Sequence, residues 1–142
     1  MKSTNIVKGF SKLLIVLTAV IGGTAAVGTP ALASANTCEN FFFPDYYLCE
    51  NLSGSGLHIN YLHAAATDQA ASSESMSIHI QIWGPHGTIK NCSEVTIHGG
   101  QTTTCQWSPN ANEPAGNYGF TVWQKLSSGW GNDGDIWVGV HS

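Results

Sequence analysis

Along 76–83 the chain alternates apolar and polar positions, with Met76, Ile78, Ile80 and Ile82 set against Ser77, His79, Gln81 and Trp83. A period of two marks a strand with one buried face, and Gly84, Pro85, His86 and Gly87 end it. Similar patterning predicts strands at 57–62, 88–92, 94–97, 102–107, 118–126 and 136–141, about seven short strands in all, separated by Gly, Pro and Asn. The stretch 64–75 (AAATDQAASSES) is rich in Ala but has no apolar stripe, so it reads as a polar loop with room for a short helix. The whole pattern indicates an all-β fold, an antiparallel sandwich or barrel.

The N-terminus is patterned differently. Lys2, Lys8 and Lys12 precede an apolar run at 13–21 that breaks at Gly22 and Gly23. That run is shorter than the roughly 20 apolar residues a membrane span needs, and Ala33, Ser34 and Ala35 are the small residues a signal peptidase accepts. The expectation is a signal peptide over 1–35, cut after Ala35, a secreted protein and no membrane contact after cleavage. The exported part then divides into an aromatic hairpin and linker at 36–56 and a sandwich domain at 57–142.

Export also changes the charge. Only Lys90 and Lys125 remain against nine carboxylates, with no Arg, leaving a net charge of about −7. Nucleic acid and anionic lipid both require a basic patch, so neither is an expected partner.

All four cysteines, Cys38, Cys49, Cys92 and Cys105, lie in the exported part, where an even count reads as a disulfide framework. No CxxC pair points to zinc. Proximity favours Cys38 with Cys49 and Cys92 with Cys105. A two-residue turn at His98 and Gly99 would set Cys92 opposite Cys105 across a hairpin, whereas a turn at Gly99 and Gly100 would break that register.

The segment 113–123 (EPAGNYGFTVW) resembles the corner that enters the penultimate strand of immunoglobulin-like and fibronectin-like sandwiches, with Tyr118 as the corner tyrosine. It departs from antibody domains in having Phe120 where the second core cysteine would stand. The fold expected from this resemblance is an immunoglobulin-like antiparallel β-sandwich carrying an N-terminal disulfide hairpin.

Candidate binding residues fall in two groups. The first is the disulfide loop 38–49 (CENFFFPDYYLC), where Phe41, Phe42, Phe43, Tyr46 and Tyr47 surround a Pro44–Asp45 turn. Neighbouring side chains of a hairpin point to opposite faces, so these rings serve either as a lid on the core or as anchors for a partner. The second group is the tryptophans. Trp83 and Trp123 alternate with core positions, and Trp130 lies in the expected loop 127–135, so these three are candidate ligand-binding residues, while Trp107 and Trp137 read as core. The loop also holds Asn132, Asp133 and Asp135, but without the later bidentate Glu of a calcium loop it reads as a hairpin turn.

Six histidines form no HExxH or HxH pair, and His58 and His63 would face opposite sides of one strand. There is no GxSxG motif and no carboxylate pair marked by spacing. The sequence therefore assigns no catalytic residue, metal or cofactor. Three readings remain: an adaptor binding secreted proteins through the aromatic loop, a carbohydrate-binding module using tryptophans, and an inhibitor of an extracellular hydrolase. In layout, a signal peptide before one small disulfide-bearing β domain with an aromatic N-terminal segment, the chain also resembles the small adaptor subunit of actinobacterial umbrella toxin particles. That resemblance implies lectin and toxin subunits as partners, with Phe41, Phe42, Phe43, Tyr46 and Tyr47 contacting the toxin chain.

Overall fold

Ten strands and no helix form among the residues described by the computed structural model, 34–42, 45–71 and 73–141. In chain order they are β1 (Ala35–Phe42), β2 (Asp45–Ser55), β3 (His58–Asp68), β4 (Ser75–Gly84), β5 (Gly87–Asn91), β6 (Val95–His98), β7 (Thr102–Trp107), β8 (Ala111–Asn112), β9 (Gly116–Leu126) and β10 (Gly129–Val140). The expected signal peptide lies outside the described residues, Ser34 and Ala35 excepted.

The strands form two antiparallel sheets. One runs β1-β2-β3-β7, with β8 also paired to β3; the other runs β10-β9-β4-β5, with β6 also paired to β4. Their inward faces share one core. Leu48 and Leu52 of β2 and Leu62 and Ala64 of β3 meet Ile78, Ile80 and Ile82 of β4, Phe120 and Val122 of β9, and Ile136 and Val138 of β10. Each large aliphatic buried in this way contributes about 1.5–3 kcal/mol, which makes the inter-sheet core the main source of stability. The architecture is thus all-β and sandwich-like.

The alternation at 76–83 holds residue by residue, with Ile78, Ile80 and Ile82 buried and Ser77, His79, Gln81 and Trp83 on the opposite face. Two expected loops are corrected. The first part of 64–75 continues β3, because Ala64 and Ala66 alternate inward and are small enough to lie flat against the facing sheet. Most of 127–135 belongs to β10, since only Ser127 and Ser128 turn between β9 and β10. The boundary expected between 56 and 57 falls in the tight turn joining β2 to β3, which pair along most of their length.

Cys38 bonds to Cys49 and Cys92 to Cys105, the expected pairs. For the second pair the expected hairpin does not exist. The turn centres on Gly99 and Gly100, with the Gln101 amide donating to the His98 carbonyl at 2.8 Å, and β6 and β7 lie in different sheets. β5 and β6 pair with successive halves of β4, and the chain breaks between them at Cys92, whose amide donates to the Ile80 carbonyl at 2.9 Å. From that break the sulfur crosses to Cys105 of β7, so this bridge staples one sheet to the other. Two disulfides fit an oxidising environment. No described helix is long and apolar enough to cross a membrane.

Glu50 of β2 sits among the inward residues, fully buried, with neither carboxylate oxygen hydrogen-bonded. Burial pushes its carboxyl up from 4.5 to about 8. The unfolded chain releases this proton near 4.5 while the fold retains it to about 8, so the stability it contributes falls as pH climbs through that window. Melting temperature should therefore fall between pH 5 and pH 9, by a free energy on the order of 4 kcal/mol from this group. Glu50→Gln should remove most of that slope; an unchanged slope in the variant would refute the assignment.

The inter-sheet disulfide gives a second prediction. Replacing Cys92 and Cys105 by Ala should cost about 2–5 kcal/mol in a denaturant titration. A loss below about 0.5 kcal/mol would show that the core alone holds the sheets together.

Candidate functional site: the outer tryptophan face

Because one face of β4, β9 and β10 is spent on the core, the other face collects every alternate side chain. Register fixes the rows. Trp83 of β4 lies opposite Gly119 of β9, which lies opposite Trp137 of β10. The next row inward is Gln81, Thr121 and Asp135; the one after that is His79, Trp123 and Asn132. Trp130 pairs with Lys125 beyond them. Four of the five tryptophans thus share one sheet face.

The rings are held in place by their neighbours. The Trp83 indole N–H donates to Thr121 Oγ1 at 3.1 Å, and that of Trp123 donates to Gln81 Oε1 at 3.3 Å. Gln81 in turn donates to Asn91 Oδ1 at 2.9 Å. His79 meets Trp130 edge-on, with ring centroids 4.4 Å apart, and lies nearly parallel to Trp123 at 6.4 Å. Lys125 caps the edge, 5.7 Å from the Trp130 ring centroid, and is neutralised by Glu94 at 2.9 Å. Trp130 and Trp137 are the most open, at 41% and 53% of their surface.

Gly119 lies between Trp83 and Trp137 and is buried beneath its neighbours. A Cβ there would lie 2.2 Å from the Ile136 carbonyl oxygen and 2.7 Å from Trp137 Cβ, so only Gly fits. The two tryptophans are two strands apart, with backbones separated by about 10 Å.

Sequence reasoning placed Trp83, Trp123 and Trp130 on a ligand surface, and all three lie on this face. It assigned Trp137 to the core, and that is corrected: Trp137 alternates with buried Ile136 and Val138 and points outward. The period of two across 136–140 was the available signal. Trp107 packs partly against the core and stacks on Tyr118, with centroids 5.9 Å apart.

The aromatic hairpin splits between its two readings. Phe41 and Tyr46 lie opposite each other in the β1–β2 ladder and both turn inward. Tyr46 is completely buried, with its hydroxyl on Met76 Sδ, and burial, helped by Asp133 and Asp68, pushes that hydroxyl far above its ordinary value. It is a core residue, so as an anchor for a partner it is corrected. Phe41 packs on β10, where a Cβ at Gly134 would come within 3.1 Å of its ring. Tyr47 faces the other way and is 36% exposed, beside the Cys38–Cys49 bridge. The side chain of Phe42, and Phe43 and Pro44 as a whole, lie outside the described residues.

The remaining candidates do not converge. The Asn132 carboxamide oxygen accepts the Gly134 amide at 2.9 Å, and Asp133 turns to the Tyr46 side, where burial raises its carboxyl. Asn132 and Asp135 stay on the outer face, so the trio is divided between the two sides of β10. A bulge leaves Asn60 unpaired in β3 and switches parity, so His58 and His63 share one outer face instead of opposing ones. The His58 ring nitrogens lie 3.3 Å from the Asn112 and Asn110 side-chain oxygens. No group of three or more His, Cys, Asp or Glu able to hold a metal occurs among the described residues. Comparison with protein-family models, with curated proteins and with solved structures returns no match.

Tyr46→Ser should cost about 3–5 kcal/mol in thermal melts through the cavity it leaves, while Tyr47→Ser should stay within about 0.5 kcal/mol of the wild type. Equal losses at the two positions would contradict the inward–outward division of the hairpin.

Proposed function

We propose that this chain is a secreted, non-enzymatic binding adaptor on an immunoglobulin-like sandwich. The observation that carries the reading is that exposed aromatic side chains stand on both sheets: the tryptophans on the outer face of β10-β9-β4-β5, and Tyr47 on the disulfide-braced side of the β1–β2 hairpin. An adaptor needs two separate contacts. A catalyst needs convergent reactive groups, and the groups whose titration is displaced, Tyr46, Glu50, Tyr118 and Asp133, are all raised chiefly by burial in or beside the core.

Strand order supports the immunoglobulin-like part. With β2, β3 and β7 as strands A, B and E, and β4, β5, β9 and β10 as C, C′, F and G, both sheets have the neighbours of that fold. Tyr118 near the start of β9 donates its hydroxyl to the Pro114 carbonyl at 2.7 Å, the bond of a tyrosine corner. The extra strand β1 and the staple from Cys92 to Cys105 are departures from the antibody pattern. Lysines ahead of a short apolar run and small residues at 33–35 support secretion. A protein contact at the hairpin is also what the resemblance to umbrella-toxin adaptors implies.

The test is a pull-down of the tagged, oxidised chain from the producer's culture medium, read by mass spectrometry. A secreted protein should be captured by the wild type, with recovery at least tenfold lower for Tyr47→Ser, as expected for an interface aromatic worth about 2 kcal/mol. If Tyr47→Ser captures the same proteins equally well, the hairpin is not the contact.

A further inference from the structure

We infer that the tryptophan face takes a neutral glycan chain, lying along β9 from the Trp83 and Trp137 rings toward Trp123 and Trp130. The inference rests on the reading of this face as a binding surface and names its ligand class.

Charge is the first argument. The described chain has no Arg, and the only lysine on the face, Lys125, is already held by Glu94. An anionic ligand would find no free cation there. A cationic one would meet Asp135 and a Glu94 already paired with Lys125. What the face does offer between its rings is amide and carboxylate: Gln81, Asn132 and Asp135, with Thr121 buried beneath them. Such groups exchange hydrogen bonds with hydroxyls, and aromatic rings cover the apolar C–H faces of sugars.

Shape is the second argument. Gly119 to Trp123 spans four residues of β9, roughly 13 Å, so the aromatic stations extend beyond one sugar ring. Trp83 and Trp137 flank Gly119, which is itself buried beneath its neighbours, so a ligand at this end would rest on the rings and not on the strand between them. Fixation is the third. Indole N–H groups tied to Thr121 and Gln81 hold Trp83 and Trp123 before any ligand arrives, which lowers the ordering cost of binding.

The experiment uses the full exported chain with both disulfides formed. Retention on microcrystalline cellulose, chitin and insoluble xylan is measured by sedimentation, and cellohexaose, chitohexaose and xylohexaose are titrated against tryptophan fluorescence. At least one polymer should retain the wild type, and its soluble oligomer should change the fluorescence. Trp137→Ala and Trp130→Ala should each weaken retention about tenfold, equivalent to about 1.4 kcal/mol, with unchanged melting temperature because both rings are already half open. Tyr47→Ser should bind glycan as the wild type does.

No retention and no fluorescence change with any probe would overturn the inference, as would retention that survives the Trp130, Trp137 double replacement. If glycans fail while Trp137→Ala loses a captured secreted protein, the ligand is protein; the glycan inference falls and the adaptor reading stands. If the wild type binds glycan but captures no protein, the adaptor reading falls and the glycan inference stands.

Discussion

Everything on the surface of this protein follows from the two-residue period of strands that share one core. Burying Ile78, Ile80 and Ile82 obliges Ser77, His79, Gln81 and Trp83 to face outward, and burying Tyr118, Phe120 and Val122 does the same to Thr121 and Trp123. A sandwich of two sheets has only one interior, so the outer face of each sheet remains in solvent. The apolar rings placed there gain no stability from the core. They cost solubility unless something covers them, which gives the face its functional interest.

Where one face is buried and the pattern is unbroken, the sequence is a sufficient guide. Strand β4 and the site of β9 were legible for that reason, β5 and β7 from their place between turn residues, and both disulfide pairs from the nearness of their cysteines along the chain. Three features were not. Ala64 and Ala66 look like loop or helix residues locally, and only the nearness of the opposing sheet makes small side chains fit there as strand core. The segment 127–135 carries Gly, Asn and Asp, the usual turn residues, yet pairs with β9 through a bulge. The crossing from β6 to β7 is a change of sheet, which local spacing cannot report; the right cysteine pair therefore emerged from the wrong geometry.

The buried acids show how much this small core tolerates. Glu50 has no hydrogen-bond partner, and one carboxylate oxygen each of Asp68 and Asp133 is likewise unpaired. Such groups are destabilising unless neutralised or partnered, and Glu50 meets the first condition by holding its proton to about pH 8. Asp68 has compensation through its other oxygen, which accepts the Ala70 amide at 2.8 Å, while its backbone ties the turn after β6 to the end of β3. These are polar contacts at the rim where the chain passes between sheets, and they help fix the crossings that the inter-sheet disulfide then locks.

The bulge at Asp133 links the seat of the β1–β2 hairpin to the tryptophan face. If the same residues paired without a bulge, continuing the alternation from Trp137 and Asp135 would put Asp133 and Gly131 outside and turn Trp130 inward. The inserted Asp133 is instead directed toward Tyr46, and Asn132 and Trp130 are moved to the outer face, opposite Trp123 and Lys125. On the inner side of the same bulge, Phe41 and Leu48 close over Gly134, where any side chain would meet them. The hairpin lid and the far end of the tryptophan face are therefore set by one irregularity in β10. A register shift that paired Asp133 with Trp123 would turn Trp130 inward and, at the same step, displace the seat on which the hairpin rests, whereas deleting Asp133 would leave Trp130 outward.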